Sequence, residues 1–323
     1  MTSERKNKII IAGGSGFIGT KLAEKFDSCG YEVVILTRTP KKSRANSSIR
    51  FVGWNGKTPG DWFSEIEGSQ AVLNLAGKSI AGETLPGILF GRWTQKYKQE
   101  ILQSRVSSGN VLAEAVLSAR KKPQVFIQAS GIGFYGTSSM TKLDEEAPPG
   151  SDFLASVSLD WEDSSKGVTA GRIRHAVIRS GVVLDPGGGI LPLVALPLRL
   201  FLGGRLGNGR QPFPWIHIED EIAAIQFLIE DKSCNGAFNL VAPGIASNVE
   251  FGKILAAVLR RPFYLPVPAF LLKLLLGEKS ILVLAGQQAV PRKLLDAGFT
   301  FHHPQAESAL KDLYRRRTKD ARD

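Results

Sequence analysis

The 323-residue sequence predicts an α/β protein built on a doubly wound, mostly parallel sheet. Three observations predict it. Short β-branched runs alternate with amphipathic helical patterns through the first half of the chain, as parallel strands joined by helices do. Those runs are apolar on consecutive residues, which a strand covered on both faces requires. The first of them passes through four glycines straight into a helix, "KIIIAGGSGFIGTKLAEKF" at 8–26, the kind of joint at which open sheets hold ligands.

In order, "KIIIAG" (8–13) reads as the first strand and "GTKLAEKFDSCG" (19–30) as a helix stopped by Gly30. "YEVVILTR" (31–38) is the second strand, "FVGWNGKTPGDW" (51–62) a loop, and "QAVLNLAG" (70–77) the third strand. A long helix is expected over 92–121, because Ile101, Leu102, Val106, Leu112, Val116 and Leu117 recur every three to four residues. "PQVFIQAS" (123–130), a helix around 153–166 and the strand "HAVIRSGVVL" (175–184) follow. Beyond 185 the rhythm changes, with frequent Gly and Pro, two apolar segments and a helix-rich tail. The expected division is a dinucleotide-binding unit at 1–185 and a smaller substrate-side, helical subdomain at 186–323 whose pieces can return to the main sheet.

Composition narrows the function. With 43% hydrophobic and 22% charged residues the chain is an ordinary globular one. The formal charge of +11 is spread over separated clusters, "RTPKKSR" (38–44), "ARKK" (119–122) and "LYRRR" (313–317). No basic stripe interleaved with aromatics appears, so a small phosphorylated ligand is expected rather than nucleic acid. Cys29 and Cys234, and His175, His217, His302 and His303, have no metal-ligand spacing. No metal site is expected, and a reducing, cytoplasmic setting fits. "MTSERKNK" leads into a strand without a signal-peptide core. The apolar stretches at 188–204 and 263–277 are broken by prolines and basic residues, which argues against a transmembrane helix. For the apolar tail beyond 263, interior packing or a homodimer contact is the ordinary expectation, and an interfacial membrane contact is the alternative.

The glycine joint carries the most chemistry. Where a strand ends in glycines and opens a helix, bare amides and a partial positive charge face the same point. Gly13 and Gly16 allow a tight turn and close approach of a pyrophosphate, the first-turn backbone of Phe17 and Ile18 completes the cradle, and Gly19 permits close helix–strand packing. At the end of the second strand a carboxylate would select NAD. This chain has Thr37, Arg38 and Thr39, then Lys41, Lys42 and Arg44. A guanidinium grips a phosphate through paired charge-assisted hydrogen bonds, so Arg38 is expected on the 2′-phosphate of NADP. Leu75, Ala76 and Gly77, closing the third strand in "NLAG", leave room for the backbone to pass the adenine-side ribose.

With "GGSGFIG" (13–19), "LNLAGKSI" (73–80), "RWTQKYKQEILQSRV" (92–106), "SGIGFYG" (130–136), "DFLASVSLDWE" (152–162) and "IRSGVVLDPGGGIL" (178–191) in place, the chain resembles an extended short-chain dehydrogenase/reductase. More narrowly it resembles the atypical NAD-dependent epimerase/dehydratase-like "epimerase family" with a C-terminal domain of unknown function, whose marks "GGRLGNGRQPFPWIHIED" (203–220) and "RPFYLPVPAFLLKLLLGE" (261–278) come later. The resemblance implies a Rossmann fold, NADP(H) binding and reductase or epimerase-like chemistry on a carbonyl or alcohol. It also marks a departure. The family's YxxxK pair should fall near 153–158, where this chain reads Phe153 to Ser158 without tyrosine or lysine, and the usual serine position falls on Gly131 beside Ser130.

Two readings therefore stand. In one, Ser130 and Tyr135 supply the proton chemistry, His217 or Arg179 polarises a carbonyl, and Arg179 flanks the cofactor. In the other, the fold binds NADP(H) without turnover, as a scaffold or regulator. The glycine-rich loop at 203–220 is expected to close over a small-molecule substrate, with Arg210, Gln211 and His217 as polar contacts and Trp215 as a wall. Glu162 and Asp220 are expected to be structural, and Glu145 and Glu146 to form a solvated loop face.

Overall fold

The computed structural model describes residues 7–42, 47–137 and 141–320, with side chains to 316, so Arg44 lies outside the described residues. Seven strands form a wholly parallel sheet: β1 Lys8–Ala12, β2 Glu32–Thr37, β3 Ile49–Gly53, β4 Ala71–Asn74, β5 Val125–Gly131, β6 Arg174–Ser180 and, much later in the chain, β10 Gly236–Leu240. Their spatial order is β10-β6-β5-β4-β1-β2-β3. The order reverses between β1 and β4, and that switch point opens a crevice beyond the carboxyl ends of the strands.

The strands are apolar on consecutive residues because both faces are covered. Ile9, Ile11, Val33, Ile35 and Leu73 enter one core, while Ile10, Ala12, Val34, Leu36 and Val72 enter the other. The helix Phe17–Ser28 buries Leu22, Ala23 and Phe26 against the first face. The helix Gln95–Ser118 buries Val111, Leu112, Ala115 and Val116 against the second.

Three expectations are corrected. The segment taken as a loop begins with the last residues of β3, an edge strand whose half-exposed residues lack the two-sided apolar run of the others. The strand expected over 175–184 is two strands broken at Gly181. There β6 ends, and β7 (Val182–Asp185) enters a small second sheet, parallel to β9 (Trp215–His217) and antiparallel to β8 (Gly188–Gly189). A Cβ on Gly181 would lie 2.9 Å from the Pro214 carbonyl oxygen, so the crossover needs glycine. Finally, the apolar tail is not wholly packed inside. It divides into Ala269–Leu276, Ile281–Leu284 and Arg292–Asp296, and Phe270 and Leu274 stand 71% and 64% exposed instead of packing inside.

A boundary at 185/186 does not separate two cores. β10 pairs with β6 from Gly236↔Ala176 to Leu240↔Ser180. The larger core runs from Ile9 to Leu313 and includes Leu228, Phe238, Leu255 and Leu310. The Arg174 guanidinium ties β6 to the carbonyls of Leu228, Ile229 (2.7 Å) and Cys234 (2.9 Å).

Candidate cofactor site

A cleft of about 660 Å³ opens at the switch point. Its floor is the β1–helix joint. Gly13 adopts φ +77, and a Cβ there would meet the Leu75 carbonyl and Ala76 nitrogen at 2.8–2.9 Å. Gly19 packs the helix onto the turn, since its Cβ would lie 2.5 Å from the Gly14 Cα. Gly16 caps the 12-residue helix Phe17–Ser28 without a side-chain hydrogen bond, and the first turn has no acidic residue. The amides of Phe17 and Ile18 thus begin a helix whose positive end meets no carboxylate of its own first turn.

The wall after β4 is shaped by buried polar groups. Asn74 donates to Gln128 Oε1 at 3.1 Å and accepts from the Ala76 amide at 3.2 Å. Lys78 N donates to Ser104 Oγ at 2.9 Å, and buried Arg105 donates to the Lys78 carbonyl at 2.9 Å. Gly77 is small for this reason: a Cβ would sit 3.1 Å from the Arg105 guanidinium carbon. Burial lowers the Arg105 guanidinium to about 10, with its ring-facing side 4.8 Å from the Trp161 centroid. Leu75, Ala76 and Gly77 all line the cleft, with Gly13 and Gly16.

The outer end is cationic. Arg38 and Lys41 after β2 and Lys57 after β3 all line it and are exposed, while Lys42 does not line it. Thr37 is buried; its hydroxyl lies 3.4 Å from Ser15 Oγ and accepts the Thr39 amide at 3.3 Å. Sequence reading missed Ser15, Asn55 and Lys57. The available signal was positional: any loop leaving the carboxyl end of a strand next to β2 reaches this edge. At the far bank Lys78 is paired with Glu100 at 3.0 Å and Glu83 at 3.4 Å. Lys279 reinforces that bank from behind, donating to the carbonyls of Ala81, Gly87 and Ile88 at 2.8–3.2 Å.

The expected catalytic and substrate groups are not gathered here. Ser130 Oγ donates to Glu162 Oε1 at 2.7 Å. Arg179 forms a buried, two-pronged pair with the same carboxylate at 2.9 Å on each prong. It also donates to the Tyr135 hydroxyl at 3.0 Å, while Tyr135 donates to Asn239 Oδ1 at 2.6 Å. The Arg179 guanidinium lies 3.4 Å over the Phe134 ring. Every hydrogen-bonding group of this network is committed within the core, and burial raises the Tyr135 phenol above its ordinary range. Arg179 does not flank the cleft, and Ser130 and Tyr135 do not line it. Glu162 is structural as expected, but Glu145 is not a solvated residue: it is buried, accepts the Asn239 amide at 2.9 Å, and is raised by burial.

Residues 203–217 do not line this cleft. Gln211 Nε2 donates to the carbonyls of Leu206 (3.1 Å) and Val283 (2.9 Å), and a Cβ on Gly204 would strike the Leu265 carbonyl. Trp215 is core, donating to the Gly244 carbonyl at 3.1 Å. Arg210 is exposed on the same loop. His217 is fully buried and caps the helix Ile218–Glu230, its Nδ1 accepting the Glu219 amide at 3.1 Å.

His217, Glu219, His303 and Asp312 bring potential ligand atoms within 4.8 Å of one another. Two facts oppose a metal there. Arg316 already bridges Glu219 and Asp312. The His217 Nδ1 lone pair faces an amide donor, so its neutral tautomer carries the proton on Nε2, toward the cluster.

Among the described residues no helix is long and apolar enough to cross a membrane. A model of the NAD dependent epimerase/dehydratase family matches residues 9–156, and one of a domain of unknown function, DUF1731, matches 267–313. The chain is 37% identical to the epimerase family protein YfhF of Bacillus subtilis, over 94% of this chain and 97% of that one. It is 34% identical to the mouse epimerase family protein SDR39U1, over 95% and 99%. The crystal structure of human SDR39U1 (isoform 2) with NADPH superposes with a TM-score of 0.83 at 31% identity, covering 95% of this chain and 99% of that one.

Proposed function

The chain belongs to the epimerase family, and we propose that it is an NADP(H)-dependent member of it. The supporting observation is the cleft's outer end, where Arg38, Lys41 and Lys57 gather and no carboxylate follows β2. The human relative's crystal structure with NADPH points the same way. The residues present fit the cofactor: a glycine cradle that a Cβ would fill, a helix N-terminus without a capping side chain, and cations placed for a 2′-phosphate.

In this reading Gly13, Gly16 and the amides of Phe17 and Ile18 hold the pyrophosphate, and Gly19 seats the helix. Leu75, Ala76 and Gly77 border the ribose side. Arg38 binds the 2′-phosphate with Thr37 beneath it, joined by Lys57. When bound, the cofactor supplies a hydride to a carbonyl carbon or takes one from an alcohol carbon. The small-molecule substrate is unidentified, and the two unpaired cysteines suit a reducing, cytoplasmic setting.

The competing reading, a non-catalytic NADP(H)-binding scaffold, is favoured by one observation: the hydroxyls of Ser130 and Tyr135 are both committed within a buried network.

Arg38→Ala tests the cofactor assignment. Loss of charge-assisted hydrogen bonds worth about 1.5–3 kcal/mol lowers NADPH affinity about ten- to a hundredfold with NADH little changed; an unaltered NADPH/NADH ratio overturns it. NADPH consumption across a panel of carbonyl compounds and nucleotide sugars distinguishes enzyme from scaffold.

A further inference from the structure

The distribution of exposed apolar side chains is uneven. Of the 15 large hydrophobic residues that stand exposed among the described residues, all but Ile245 and Leu295 fall in three segments: 85–90, 200–202 and 264–282. These segments form one surface. Tyr264 N and Leu265 N both donate to the Gly203 carbonyl, at 2.9 and 3.0 Å, and Gly207 N donates to the Val267 carbonyl at 2.8 Å. The helix Leu85–Phe90 packs against Ala269–Leu276, and Arg92 donates to the Leu274 and Leu275 carbonyls from the same side.

The geometry points to this surface as a docking face for an anionic lipid bilayer. Its apolar points are Phe270, Leu274 and Phe90 around the short helices and Leu200, Phe201 and Leu202 on the adjoining turn, each more than half exposed. Phe201 holds φ +60, a left-handed conformation that a bulky residue rarely adopts and where glycine is usual at a helix end. The turn thus presents three consecutive exposed apolar side chains, with phenylalanine at the left-handed position that glycine usually takes.

Charge identifies the occupant. Residues 196–210 and 251–282 carry seven basic residues that are not buried, Arg199, Arg205, Arg210, Lys253, Arg260, Arg261 and Lys273, against one acid, Glu278, while Lys279 is buried on backbone carbonyls. That acid is already paired with Lys98. Arg261 lies 4.7 Å over the Phe201 ring, on the apolar surface itself. A second copy of the chain meeting this face about a two-fold axis would set the same positive field against itself. Anionic headgroups neutralise it, while the apolar tips enter the headgroup–acyl boundary.

Vesicle co-sedimentation tests the proposal. The full chain is expected to bind phosphatidylcholine vesicles containing phosphatidylglycerol about tenfold or more better than phosphatidylcholine alone, and to be released by high salt. The double variant Phe270→Glu/Leu274→Glu is expected to lose vesicle binding while keeping its NADPH affinity. Arg260→Glu/Arg261→Glu, which leaves the apolar tips intact, is expected to weaken binding to the anionic vesicles selectively, and it serves if the first variant folds poorly. Equal sedimentation with and without vesicles overturns the proposal. So does a concentration-dependent dimer that these substitutions abolish, since it would assign the face to a second copy.

Discussion

Glu221 shows at the scale of one residue how burial sets chemistry. It is fully buried in the first turn of its helix, its Oε1 accepts from Ser180 Oγ at 2.6 Å, and its Oε2 has no hydrogen-bond partner among the described residues. Burial pushes its carboxyl from 4.5 up to about 8. Between those values the folded state holds a proton that the unfolded chain has released, so stability falls as pH rises, by up to about 1.4 kcal/mol per unit. His175 and His217 act in the opposite sense. Burial lowers both from 6.5 to about 4, so their contribution is lost as pH falls through that interval. On these groups stability is expected to peak near pH 6.5. Urea titrations at acid, near-neutral and mildly alkaline pH check it, and Glu221→Gln should flatten the alkaline limb. An alkaline limb identical in that variant would show that the carboxyl is not a buried acid.

Among elements, helix starts differ in whether a side chain caps them. The helix Asn248–Leu259 begins with a reciprocal cap: Ser247 Oγ accepts the Glu250 amide at 3.3 Å, and the Glu250 carboxylate accepts the Ser247 amide at 2.8 Å. The helix Gln95–Ser118 is capped by Thr94, which accepts the Tyr97 amide at 3.1 Å. The helix Phe17–Ser28 instead starts at a bare glycine with no side-chain cap, the end we assign to the cofactor's pyrophosphate. Ser247→Ala is expected to cost about 1 kcal/mol without altering NADPH affinity, read by thermal melting and fluorescence titration. A fall in NADPH affinity would contradict the separation of this helix from the cleft.

For the whole molecule, the decisive fact is that late residues complete the early sheet. β10 covers the edge of β6, and the helix Ile218–Glu230 places Ala224, Ile225 and Leu228 in the larger core. A chain ending at residue 185 would keep the glycine joint yet expose the edge of β6 and its apolar face to water. It is expected to show no cooperative urea transition by circular dichroism, whereas the full chain does. A cooperative transition in the short form would mean that the first half is an independent unit.

The same scales separate what was legible. Strand β1, the glycine joint and the 74–77 turn were readable because periodicity and glycine placement are local properties of neighbouring residues, and Arg38 lines the cleft because it directly follows β2. Lys57 was hidden because β3 is a half-exposed edge strand with little apolar signal. The burial of Tyr135 was hidden because its partners Arg179 and Asn239 lie 44 and 104 positions away. The sequence by itself determined the strand–helix alternation and the glycine corner that we assign to the cofactor's pyrophosphate. Only the tertiary structure decided which polar side chains face the cleft, which vanish into the core, and which apolar ones stay in water. Burial is set by elements distant in sequence packing together, and no local pattern records that choice.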